Sequence, residues 1–297
     1  IRTKNGPEFA GTTFSHSTCY DNGRYGFVGT QSLSNTLSYG TKFEDLLVYG
    51  NNTNNNNPGG DAGGNKISGT VSPELRRIYS HHNNGAGLWT DFARDNVIYE
   101  DNVVEFNVWW GIFYEVGNGN ATFAQAQIRY NWAKDNALGS GLFPANDWFN
   151  GVQILASCTD GLVNGGTGYD IHHNYVDGKA GANGFVAHDN HPTDVKVCRV
   201  HDNDVWLRGP TPKSGGNEGA NVGGTWEDSS DPRVGVNPFL VTSGNSFAAN
   251  HYHVPVGQLG ATWWKWGGTH GSTTLRTWSA WQAQGQDLAG TLEEIAA

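Results

Sequence analysis

Residues 83–115 read NNGAGLWTDFARDNVIYEDNVVEFNVWWGIFYE and contain two copies of one unit. Asn83, with Gly87-Leu88-Trp89-Thr90-Asp91 behind it, returns as Asn107 with Gly111-Ile112-Phe113-Tyr114-Glu115. An earlier copy, Asn22 with Gly26 and Phe27, keeps the same Asn-x-x-x-Gly spacing. Self-similarity at a period of about 20 to 50 residues is the signature of stacked-repeat architectures. Each copy reads as a short strand after a turn, with no helical pattern between copies. The spacing therefore predicts successive coils of a parallel β-solenoid.

Working outward, the run Ile128–Asn131 (IRYN) answers Val97–Asn102 (VIYEDN), and Asp170–Asn174 (DIHHN) and Val200–Asn203 (VHDN) continue the series. Short apolar runs ending in Asn suit inward-facing amide ladders at solenoid corners, where stacked amides bond to the coils above and below. The spacing loosens near 116–126, 143–150 and 157–168, which predicts loop insertions there. Residues 51–64 (NNTNNNNPGGDAGG) read as a turn-rich excursion, because Asn and Gly tolerate left-handed backbone, and Lys66 and Ile67 re-enter the coil. Residues 209–238 read as a second long loop.

From Phe239 the composition changes, with Trp263, Trp264, Trp266, Trp278 and Trp281 crowded together. Residues 272–285 predict a short helix, capped by Ser or Thr and stopped at Gly285. A solenoid's last coil exposes core and strand edges and needs a cap. The expected organisation is a β-helix over 1–250 and a Trp-rich capping segment of the same domain over 251–297.

The net charge is −10, and charged residues make up 15% of the 297-residue chain. Without clustered Lys and Arg, nucleic acid is not an expected partner. No apolar run approaches a membrane span. The chain lacks Met and starts at Ile1, which reads as a processed piece; with the Asn- and Trp-rich surface, this suggests a secreted, extracellular protein. Three Cys permit at most one internal disulfide, with Cys158–Cys198 and buried free thiols as the alternatives.

The run from Gly87 to Glu115 resembles the right-handed parallel β-helix superfamily, often called pectin-lyase-like, and within it the secreted bacterial β-helix-repeat proteins. The likeness covers about residues 9–205, with the text near 281–287 resembling their carboxyl-terminal ends. It implies an all-β, single-stranded, right-handed parallel β-helix with long loop insertions and a short helical, aromatic cap. It implies no single activity, because the superfamily holds lyases, hydrolases, epimerases and non-catalytic adhesins. The Asp-Asp pair with Gly-His-Gly of polygalacturonases is absent, as is the Trp-Ile-Asp-His run of pectate lyases, so no catalytic residue carries over.

Alternation along a strand decides which side chains face out. Leu88, Thr90, Ile112 and Tyr114 point inward, leaving Trp89, Asp91, Phe113 and Glu115 outside. Alignment on the glycines sets Asp91 beside Glu115 and Trp89 beside Phe113. Aligning through Gly64 puts Lys66 in the Trp89 column, one diagonal step from Asp91. Aligning through Gly151 adds Gln153, and through Gly184 brings His188 into the column of acids.

Paired carboxylates cannot both ionise freely, and a glycosidase uses such a pair as acid and nucleophile or base. The expected activity is therefore a glycoside hydrolase acting on a polysaccharide or oligosaccharide, with no required cofactor. Asp91, Glu115 and Lys66 are the candidate catalytic residues, and Trp89, Phe113, Gln153, His188 and Trp110 the candidate substrate contacts. Trp109, Trp132, Trp148 and Phe149 are further candidate groove walls. Two alternatives stand beside it. One is a polysaccharide lyase with Lys66 as base and Ca²⁺ held by carboxylates. The other is a non-catalytic glycan-binding or structural β-helix.

The histidine pairs at 81–82 and 172–173 point to opposite faces and chelate poorly. His251 and His253 alternate correctly but have no carboxylate near them in sequence, so no metal is expected.

Overall fold

The computed structural model describes residues 2–4, 11–30, 38–57, 62–91, 93, 95–117, 126–136, 153–158, 168–178, 185–189, 199–208, 225–227, 246–265 and 275–296. The short strands form almost exclusively parallel pairs, each with its equivalent in the preceding and following coils. One eight-stranded sheet contains Gly63–Ser68, Leu88–Asp91, Ile112–Gly117 and Ile154–Cys158 as successive neighbours. A fifteen-stranded sheet supplies two further faces, joined through the long strand Lys42–Tyr49, which bends at Asp45 (φ 55°). The chain is thus the parallel β-solenoid that the repeats predict.

Inward residues of all three faces fill the axis. Leu75, Leu88, Tyr99, Val104, Ile112, Tyr114, Ile128, Ala133, Ile154 and Val176 are fully buried. The Leu, Ile and Val side chains among them each gain about 1.5–3 kcal/mol on leaving water, an upper estimate for a chain whose denatured state is partly compact.

Two amide ladders run through this interior. The first links Asn22, Asn51, Asn83, Asn107, Asn136 and Gln153; the second links Asn102, Asn131, Asn174, Asn203, Asn250 and Asp287. Along both, a carboxamide oxygen accepts from the backbone N–H and the side-chain NH₂ of the previous rung, as Asn131 does from Asn102. The Asn131 NH₂ in turn donates to Asn174 at 2.9 Å and to the Tyr99 carbonyl at 3.0 Å. The residue before nearly every rung has left-handed backbone: Asp21, Gly50, His82, Phe106, Asp135, Asp101, Tyr130, His173, Asp202 and Ala249. For non-glycine residues that conformation costs about 1–2 kcal/mol each, which the rung's bonds offset.

The first ladder also explains the Asn-x-x-x-Gly spacing. A Cβ on Gly87 would lie 2.7 Å from the Asn107 amide nitrogen, and one on Gly111 would lie 2.7 Å from that of Asn136. Glycine is required because these amides, together with Val104 Cγ1 at 2.4 Å from the first Cβ and the Gln153 carbonyl oxygen at 2.5 Å from the second, leave no room. Asn51, which falls in the Asn-rich run read as an excursion, is instead a fully buried rung.

Gln153 corrects another expectation. The register pairs Phe113 with Leu155, not with Gln153. Gln153 is fully buried, belongs to the first ladder and accepts from the Asn136 N–H and NH₂ at 3.0 and 2.9 Å.

At the carboxyl end, parallel pairing continues through His251–Pro255 to Thr291–Ile295. The expected helix is confined to Trp278–Gln282 with Thr277 as N-cap, and Gly285 is left-handed beyond it. Trp264 and Trp281 pack on Tyr252 and Phe247, and Trp263 is buried with its indole N–H donated to the Gln258 carbonyl, so these tryptophans pack the last coils. Asp287 closes the second ladder: Oδ1 accepts from Asn250, and Oδ2 from Tyr252 Oη at 2.8 Å and Trp281 Nε1 at 2.9 Å. Cys19 is a buried free thiol; Cys198 lies outside the described residues, so the Cys158–Cys198 pairing does too. Among the described residues no helix is long and apolar enough to cross a membrane.

Asn131→Ala removes one rung and strands the donors of Asn102, so it should cost about 3 kcal/mol or more in urea denaturation. Asp287→Asn keeps the size but turns an NH₂ towards groups arranged to meet a carboxylate. It should destabilise clearly more than Asp101→Asn, whose side chain has no ladder role, in parallel thermal melts.

Candidate functional site

The ladders hold the strands of the eight-stranded sheet in a fixed register. Trp89 pairs with Phe113 and Asp91 with Glu115, while Thr90 pairs with Ile67 of the preceding coil. That last pairing sets Lys66 beside Trp89, as the Gly64 alignment predicts. Inside, Asn65 secures the strand by accepting from the Trp89 N–H at 2.9 Å and donating to its carbonyl at 3.1 Å.

On the outward side, Lys66, Asp91, Trp89 and Glu115 form one cluster. Lys66 Nζ lies 2.9 Å from Asp91 Oδ2 and 3.7 Å above the centre of the Trp89 ring. The Trp89 indole N–H donates to Glu115 Oε2 at 2.8 Å. One indole thus presents its electron-rich face to a cation and its edge to a carboxylate, both favourable to an aromatic quadrupole.

Burial raises the Glu115 pKa to about 7, helped by the charge of Asp91 and opposed by Lys66 and the indole hydrogen bond. Near neutrality Glu115 is therefore divided between proton donor and carboxylate. This is the separation of roles that adjacent acids need for general acid chemistry. Lys66 supplies the compensating charge that a like-charged pair on neighbouring strands requires.

The aromatic residues differ from expectation in one respect. Trp89 and Phe113 face outward as predicted, but they are only 1% and 4% exposed. They pack against each other at 5.7 Å and against Trp110 at 5.9 and 4.3 Å, so they offer no open stacking surface. Trp110 is buried in the same group, with Trp109 packed against it. Trp89 is better read as a positioning residue, orienting Glu115 and Lys66. Asp91 is 7% exposed with its Oδ1 buried, and Lys66 and Glu115 are half-buried, so the charged ends are largely enclosed and keep only a narrow contact with solvent.

The backbone of His188 falls in the column of the two acids. Ser157 stands between them, and a bulge sets in after Tyr114. Trp132 belongs to a strand of the other sheet, away from Asp91. Trp148 and Phe149 lie outside the described residues. Alternation shows that Trp89 faces outward but not how its ring turns, so the indole hydrogen bond to Glu115 is visible only in the fold.

No family model, curated protein or solved structure matches the chain. The reading of this site therefore stands on its geometry.

The raised pKa of Glu115 has a sign that can be measured. Its ionisation is harder in the folded state, so its contribution to stability is full below the ordinary value near 4.5 and is lost as pH rises to about 7. Glu115→Gln should remove that decline, so urea stability of wild type and variant should diverge across this window. Parallel curves would show that Glu115 is not held as described.

Proposed function

We propose that the chain is a secreted carbohydrate-active enzyme, a glycoside hydrolase acting on a polysaccharide or oligosaccharide. The observation that carries this reading is the in-register pair Asp91–Glu115, with a lysine on the first acid and an indole N–H on the second. Glu115, raised to about 7, is suited to protonate a leaving glycosidic oxygen. Asp91, beside Lys66, is suited to act as the carboxylate nucleophile or base. Neighbouring strands lie about 4.8 Å apart, nearer the roughly 5–5.5 Å of retaining glycosidases than the wider gap of inverting ones.

The same contacts weigh against the lyase alternative. A lysine that removes a proton must be neutral and reach the substrate, whereas Lys66 is in an ion pair and packed on an indole. Ca²⁺ enters only with that alternative; the hydrolase reading needs no cofactor. Burial of Trp89 and Phe113 favours the non-catalytic reading, in which the cluster is structural and any glycan binds elsewhere.

A panel of plant, algal and microbial glycans separates the three. The hydrolase reading predicts new reducing ends without ultraviolet-absorbing products, a rate that declines above pH 7, and a loss of about 10²-fold or more in Glu115→Gln and in Asp91→Asn. Unsaturated products dependent on Ca²⁺ would support the lyase. Full activity in both variants would remove this site from the chemistry.

A further inference from the structure

Three consecutive strands near the carboxyl end bring together groups that lie far apart in sequence. Asp204–Leu207, His251–Pro255 and Thr291–Ile295 are parallel neighbours, with His251 between Asp204 and Thr291, and His253 between Trp206 and Glu293. His251 and His253 are two residues apart and share a face, their ring centroids 4.2 Å apart. Carboxylates flank them from the coil before and the coil after.

His253 Nε2 is 2.7 Å from Asp204 Oδ1. Glu293 Oε1 is 2.9 Å from His253 Nδ1 and 3.7 Å from His251 Nε2. One ligand atom each from Asp204, His251 and His253 lies within 4.8 Å of the other two. The His253 side chain is 5% exposed, stacked on Trp206 at 3.9 Å. Its buried Nδ1, although close to Glu293, is not aligned for a hydrogen bond. Among the described residues no Lys or Arg pairs with Asp204 or Glu293; Arg208 and Lys134, on the same face, are paired with Asp177.

We infer that Asp204, His251 and His253 form a binding site for a divalent transition-metal ion, with Zn²⁺ the best match and Glu293 at the opposite ring nitrogen of His253 as its outer partner. Two neutral imidazoles and two carboxylates carry a formal charge of −2, which a divalent ion neutralises. Imidazole with carboxylate suits zinc and its neighbours, whereas Ca²⁺ and Mg²⁺ prefer oxygen-only ligands. Binding would tie the strand Asp204–Leu207 to His251–Pro255 and hold the His253 ring towards Glu293 of the next strand. The competing occupant is a proton, since an imidazolium at His253 would also satisfy both acids.

The test uses metal-free protein titrated with Zn²⁺ against a chromophoric chelator, and with Co²⁺ as a spectroscopic probe. His251→Ala with Glu293→Gln is the variant of choice, because both side chains are substantially exposed and their loss spares the core. The expected result is one Zn²⁺ per chain with a Kd below about 1 μM, visible Co²⁺ absorption, and a melting temperature raised by the metal. The double variant should lose at least about 100-fold in affinity. Failure of the wild type to bind, or equal binding by the double variant, would overturn the proposal; in the second case another histidine cluster holds the metal.

Discussion

A buried amide that bonds simultaneously to the coil above and the coil below is the constraint from which the rest of the molecule follows. Each rung's oxygen collects two donors from the preceding rung, and each NH₂ is donated onward and to an inner carbonyl. Leaving such groups unpaired in the interior would cost about 1–3 kcal/mol apiece. The ladder can therefore hold residues as unsuited to left-handed backbone as Phe106, Tyr130 and His173 at the corners. It also excludes a side chain from Gly87 and Gly111, and so sets where each strand of the eight-stranded sheet begins.

That fixed register matters most where charges meet. Shifting Ile112–Gly117 by one residue against Leu88–Asp91 would turn its outward set into the core. Instead, Asp91 and Glu115 are pressed together, and the sheet answers with a lysine from one coil and an indole from another. The result is a cluster in which no member is indifferent to the others: Trp89 touches both Lys66 and Glu115, and Lys66 offsets the charge of Asp91, which adds to burial in raising Glu115.

How much of this could be read in the chain depends on the range of the signal. Asn83/Gly87 and Asn107/Gly111 repeat within a few dozen residues, so winding, register and the Asp91–Glu115–Lys66 contact follow from alignment and alternation alone. Gln153 did not, because an insertion separates it from Gly111, and counting from Gly151 shifts the alignment by residues that only the folded backbone reveals. Asn51 was obscured by the Asn-rich run around it. The burial of Trp89 and Phe113 was equally hidden: alternation tells inside from outside but not what covers the outside. For His251 and His253, the carboxylates sit one coil away on either side, a proximity that sequence distance conceals.

Asp287 ends the amide relay of the second ladder on a carboxylate. An asparagine there would bring an NH₂ donor to the corner instead. The carboxylate has only acceptor oxygens, both already filled from within by Asn250, Tyr252 and Trp281. At that corner the relay meets a side chain that can only accept, so Asp287 cannot hand the amide-to-amide pattern on.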